Sequence, residues 1–305
     1  MVDLTVRVGP TVLKSPLLLA SGTCGFGREV AEYEDLFVIG GICTKGLTLM
    51  PRLGNEGCRT AETPSGMLNS VGLQNPGVHA FLRDELPNMR SFGTKIIVNV
   101  AGHDTDDYFR MAQILGDPSV PVDVIELNLS CPNVKEGCMT FGASEEGVYQ
   151  IVKGVREYTD KPVWVKLTPN VTSITETALA AENAGAGAVV LINTLLGMAI
   201  DIKSRRPVLQ NNTGGLSGPA IKPIALRMIA ECDQVLHIPI IGCGGIASAK
   251  DVIEFMIAGA SAVQIGTMSL LHPGICEKIT NDLICYAESE SIERLSDLTG
   301  TLLRW

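Results

Sequence analysis

An amide, a hydroxyl and a thiol follow directly on the apolar run VDVIEL: Asn128, Ser130 and Cys131 stand in the stretch NLSCPN, closed by Pro132 and Asn133. Asparagine and proline end a strand, so this is a loop that carries reactive groups. A thiol has a pKa near ~8.5 before tuning, so Cys131 is the best-placed candidate for a base that removes a proton near neutral pH. Two lysines stand out as well. Lys166 interrupts the apolar run VWVKL, on the face it shares with Trp164, and Lys45 closes ICTK. An ammonium in such a place is costly unless it meets an anion, an electron-rich ligand or a carboxylate, for which Glu126 is the nearest candidate. Asn69, Asn128 and Asn193 supply paired donors and acceptors, which suit a ring with amide-like edges such as a pyrimidine or a flavin. The four histidines (His79, His103, His237, His272) fall in expected loops or helices and read as structural, and no Ser–His–Asp set is visible.

These groups need a frame. Eight apolar runs, at 16–21, 38–45, 95–100, 122–128, 162–167, 188–193, 239–244 and 262–267, have the near-continuous character of strands buried on both faces. Helical patterns lie between them, at 78–88, 104–115, 145–158, 173–185, 219–233, 248–258 and 273–289. The clearest begins at Ser144 with acids in its first turn. Eight β-then-α units predict an α/β fold of the (β/α)8 (TIM) barrel type in one domain spanning 1–305; an open doubly wound sheet is the rival. Residues 4–16 read as an N-terminal hairpin able to plug the barrel. Residues 46–77 and 194–218 are long βα insertions, the usual form of lids and binding loops.

Chemistry in such a barrel sits at the C-terminal ends of the strands. Those ends carry Ser21, Lys45, Asn99, Asn128, Lys166 and Asn193, then Gly244–Gly245 and Gly266–Thr267. Six polar ends converging on one mouth point to a ligand pocket. The glycine-rich ends of strands seven and eight point to a phosphate cradle, where backbone N–H groups and a helix N-terminus hold an anion.

Bulk composition narrows the classes. The chain has 305 residues, a formal net charge of -9, and no basic cluster larger than Arg205–Arg206, which argues against nucleic acid as partner. No apolar run approaches the ~18 residues of a membrane span, and the start lacks the pattern of a signal peptide. Nine scattered cysteines without paired spacing fit a reducing cytoplasm and offer no zinc or iron–sulfur ligand set, so no metal is expected on this chain.

NLSCPN with KEG and FG after it, NSVGLQNPG before it, VKLTPNV, GCGGI and IGT together closely resemble the dihydroorotate dehydrogenase family, over nearly the whole chain. A cysteine in the SCPN position is similar to the soluble, cysteine-base class, and NVKEGCMTFG resembles its NAD-linked branch more than the fumarate-using homodimers. The resemblance implies oxidation of (S)-dihydroorotate to orotate in pyrimidine biosynthesis, with Cys131 as base. It implies FMN held by Ser21, Lys45, Gly46, Asn99, Asn128, Lys166, Ile192, Gly218, Gly244, Gly245, Gly266 and Thr267. It places the substrate against Lys45, Asn69, Ser70, Val71, Gly72, Leu73, Asn128, Asn193 and Thr194. It also implies a second subunit that carries FAD and a 2Fe-2S cluster and relays electrons to NAD, in a heterotetramer of two catalytic and two electron-transfer chains. Three alternatives stay open from the residues alone: fumarate as acceptor, another dihydropyrimidine as substrate, and a phosphate-binding barrel without redox chemistry in which Lys166 forms a Schiff base.

Overall fold

A computed structural model describes residues 2–129 and 141–305. Eight parallel strands close into a barrel: β1 (Leu17–Leu19), β2 (Gly41–Cys43), β3 (Lys95–Val100), β4 (Val124–Asn128), β5 (Val163–Lys166), β6 (Ala188–Leu191), β7 (Ile240–Cys243) and β8 (Ala260–Ile265). Each pairs with its neighbours in chain order, and β8 returns to β1 through Val263↔Leu17 and Ile265↔Leu19. This is the (β/α)8 architecture expected from the alternation of apolar runs and helical patterns. Both faces of nearly every strand are buried, by helices outside and by side chains within, which is why the runs are continuous and not alternating.

The helices follow their local signals. Glu145–Arg156 is capped by Ser144, whose hydroxyl accepts from the Gly147 N–H at 3.2 Å, and it buries Val148, Ile151, Val152 and Val155 at helical spacing. Ser248 caps Ala249–Ile257, the helix that follows β7, in the same way. The pattern at 78–88 predicts one helix, and here the structure differs. A short helical turn (Val78–Ala80) passes through a π turn (Phe81–Glu85) into Leu86–Met89. Pro87 lies at the start of that last piece, where its missing N–H breaks the regular ladder.

Residues Val6–Val8 and Thr11–Leu13 form the expected hairpin, turning at Gly9. Val6, Val8 and Leu13 are buried. The hairpin lies against the bottom of the barrel, since a Cβ on Gly9 would stand 3.2 Å from the carbonyl of Gly187, one residue before β6. The two long insertions do something the sequence does not announce. Strands Thr60–Thr63 and Gly66–Asn69 of the first join Leu195–Gly197 and Gly214–Ser217 of the second in one antiparallel four-stranded sheet, with Asn69 opposite Gly215.

Candidate active site

The upper layer of the barrel interior is polar. Lys166 ends β5 and is 5% exposed; Asn99, Glu126 and Gln264 are 0% exposed. Asn99 donates from Nδ2 to Glu126 Oε1 at 2.6 Å, and Gln264 Nε2 donates to Glu126 Oε2. Gln264 Oε1 accepts from Lys166 Nζ at 2.8 Å, and Cys43 Sγ lies 3.7 Å from Glu126 Oε2. Glu126 therefore has the acceptor-only pattern of a carboxylate. Burial opposes the charge on Lys166. The sulfur of Cys243, to which the ammonium is hydrogen-bonded, and the carboxylate of Glu126 outweigh that penalty, and the ammonium's pKa is pushed up to about 12. The carboxylate partner raised as one option for Lys166 is thus present, although Gln264 stands between the two charges.

Above this layer a cavity of about 310 Å³ runs from Lys166 and Cys243 to the ends of β7 and β8. Its walls include eight residues expected to hold a cofactor: Ser21, Lys45, Lys166, Ile192, Gly218, Gly244, Gly266 and Thr267. Gly245 continues the turn from Gly244. A side chain there would collide with Lys222, its Cβ falling 2.6–2.9 Å from that residue's backbone and Cβ, and φ of +83° also demands glycine. Thr267 Oγ1 donates to Ser217 Oγ at 2.8 Å, tying the end of β8 to the insertion sheet. Gly46, Asn99 and Asn128 do not line this cavity. Gly46 and Asn99 are buried beneath it, and Asn99 Oδ1, which has no hydrogen-bond partner among the described residues, lies 3.0 Å from where a Cβ on Gly46 would stand.

A second cavity, about 390 Å³, opens beside the first. All nine residues expected to hold substrate line it, from Lys45 and Asn69–Leu73 to Asn128, Asn193 and Thr194. Its amides are set by one another. Asn193 Nδ2 donates to Asn128 Oδ1 at 3.2 Å, Asn193 Oδ1 accepts from the Thr194 N–H at 2.8 Å, and Asn69 Nδ2 donates to the Gly215 carbonyl at 3.4 Å. Tyr108, from the helix after β3, donates its hydroxyl to the Asn128 carbonyl at 2.8 Å and so pins the end of β4. The backbone of Lys45 is hydrogen-bonded to Gly25 and Thr44, but its ammonium has no hydrogen bond or ion pair among the described residues. Burial, then repulsion from Arg59, lowers its pKa, so an anion beside it would be strongly favoured. Arg52, Asn55 and Asn170 also line the cavity and were not singled out from sequence. Asn170 stands in the VKLTPNV stretch and turns its amide to the Thr194 carbonyl at 3.1 Å. Cys131 lies outside the described residues, but β4, three residues before it in the chain, ends with Asn128 on this cavity's wall.

The donor set fits a flavin mononucleotide. A buried ammonium stands at one end of the first cavity, and a glycine-lined turn between two strand ends stands at the other. Among the described residues no cluster of metal-ligating side chains occurs, and no helix is long and apolar enough to cross a membrane.

Fold and site together define a (β/α)8-barrel oxidoreductase of the flavin-binding kind. The sequence model of the family described as dihydroorotate dehydrogenase matches residues 3–286, and the chain belongs to that family. The chain is 51% identical over 301 residues to the "Dihydroorotate dehydrogenase B (NAD(+)), catalytic subunit" of Caldicellulosiruptor bescii, covering 98% of this chain and 99% of that one. Proteins of the same name from Geotalea uraniireducens and Bacteroides thetaiotaomicron are each 49% identical, over 99% of this chain and 98% and 99% of theirs.

Proposed function

We propose that this chain oxidises (S)-dihydroorotate to orotate in pyrimidine biosynthesis, as the FMN-binding catalytic subunit of an NAD-linked enzyme. The observation that carries this reading is the contact between the two cavities: Lys45, Asn69, Val71, Asn193 and Thr194 line both. A planar substrate in one is then held against a planar cofactor in the other, at the contact distance a transfer between them requires.

Bound FMN supplies the acceptor for the hydride that leaves the substrate ring. The chain's residues do the rest. Gly218, Gly244, Gly245, Gly266 and Thr267 hold the phosphate through backbone groups. Ser21, Lys45, Lys166 and Ile192 surround the remainder, with Gly46 and Asn99 supporting it from the layer beneath and Asn128 from the neighbouring cavity wall, and Lys166 offsets negative charge gained on reduction. Lys45 with Asn69 clamps the substrate carboxylate, and Ser70–Leu73, Asn128, Asn193 and Thr194 match the ring's amide edges. Cys131 takes the proton α to the carbonyl, a role supported by its position three residues beyond Asn128. The whole of 1–305 works as one FMN-binding unit.

The partner follows from the relatives' names: a "catalytic subunit" that uses NAD(+) needs a companion to pass electrons on. We assign that companion FAD and a 2Fe-2S cluster, in a heterotetramer of two chains of each kind. The same names favour NAD over fumarate. The seven described cysteines are all free thiols, which supports a cytoplasmic location.

The test is the colour of the purified protein and its loss. Yellow protein bleached by dihydroorotate and not by dihydrouracil, and reoxidised by NAD once the partner is added, is the expected result. Colourless protein, or equal bleaching by both compounds, would end the proposal.

A further inference from the structure

Glu126 and Gln264 line neither cavity, yet they determine what Lys166 presents to the first. A carboxylate can only accept, so the Gln264 amide must turn its Nε2 toward Glu126. Its Oε1 is then forced toward Lys166 and accepts from the ammonium at 2.8 Å. On the other flank Asn99 Nδ2 holds the second carboxylate oxygen at 2.6 Å. These residues come from four strands, β3, β4, β5 and β8, and all but Lys166 are fully shielded from water. The remaining ionisable groups packed on the cluster are the thiols of Cys24, Cys43 and Cys243, which burial keeps protonated. Glu126 is therefore the one anion that balances Lys166 among the described residues of this layer.

We propose that Glu126, acting through Gln264, is a positioning residue for the flavin: it anchors the Lys166 ammonium at the cavity wall and holds down the reduction potential of the bound cofactor. This rests on the reading above that FMN occupies the cavity beside Lys166. Replacing Glu126 by glutamine removes the negative charge and leaves the shape. The wall then carries an unbalanced cation, which favours the anionic reduced flavin over the neutral oxidised one.

The experiment measures the flavin midpoint potential of purified holoenzyme by equilibrium titration with a reductant, without substrate, for wild type, Glu126→Gln and Glu126→Asp. The glutamine variant should show a reduction constant at least about tenfold larger, a rise of about 30 mV for a two-electron couple. The aspartate variant, which keeps the charge, should lie near wild type. A second readout needs only wild type and Glu126→Asp: the infrared difference spectrum on reduction should contain a carboxylate stretch that moves in the aspartate variant. A yellow Glu126→Gln protein with an unchanged or lowered potential overturns this inference alone, and so does a difference spectrum without a carboxylate band. A wild type that retains no flavin overturns the proposed function and this inference with it.

Discussion

Among single residues, the informative ones are those whose chemistry is wrong for their surroundings. Lys166 in VWVKL and Lys45 after ICT are cations in apolar runs, and the structure places both on cavity walls. Glu126 and Gln264 break the same rule within EL and AVQIG, but neither closes its strand: Glu126 stands in the middle of Val124–Asn128 and Gln264 one residue before the end of Ala260–Ile265. Gln264 could have been found from the same signal, an amide with no turn to serve in a buried strand. What sequence could not supply is that its partners lie 98 and 138 positions away. At this level the proposed base makes a direct prediction. Cys131→Ser should retain FMN but lose on the order of 10²–10⁴ in turnover at neutral pH. Its activity should rise toward higher pH, because a hydroxyl is a far weaker acid than a thiol. A pH–rate profile read alongside flavin absorbance checks it, and wild-type turnover at pH 7 would remove Cys131 from the role.

At the level of elements, the eight strands and most helices were legible because each is specified locally, by a run of apolar residues or by a cap such as Ser144 or Ser248. The insertion sheet was not. Its strands read GMLN and GGLS, too glycine-rich to show alternation, and they are joined by pairing across about 150 residues. Ser217 and Met67 face each other there, as do Gly215 and Asn69. The glycines serve close packing: a Cβ on Gly215 would fall 2.1 Å from Thr194 Oγ1. Gly215→Val should therefore displace Thr194 and weaken dihydroorotate, raising KM about tenfold, or ~1.4 kcal/mol, while FMN stays bound. Steady-state kinetics together with flavin content of the purified variant decide this, and an unaltered KM would show that Thr194 does not hold substrate.

For the whole molecule, stability at alkaline pH follows from buried thiols. Burial raises the pKa of Cys24 and Cys232 from 9.0 to about 12, and those of Cys43, Cys243 and Cys276 also rise. A raised pKa in the fold means that the unfolded chain gives up these protons first. Their contribution is fully present below pH 9.0 and is lost as pH climbs toward about 12. Each thiol should take about 1.4 kcal/mol from the unfolding free energy per pH unit in that window. Denaturant titrations between pH 8 and 11 should show the slope, and Cys232→Ala should make it shallower by about one thiol's share. A variant slope equal to that of wild type would contradict this.

The shared sheet over the barrel mouth has a consequence for inheritance. Each excursion forms its own pair of strands, Thr60–Thr63 with Gly66–Asn69 and Leu195–Gly197 with Gly214–Ser217, but the sheet is completed only where Gly66–Asn69 meets Gly214–Ser217 and Asn69 of the first donates to the Gly215 carbonyl of the second. The two segments must therefore have been tailored as a pair. A chimera that imports one of them from a distant relative should fold its barrel and bind flavin yet handle dihydroorotate poorly, whereas importing both should restore turnover.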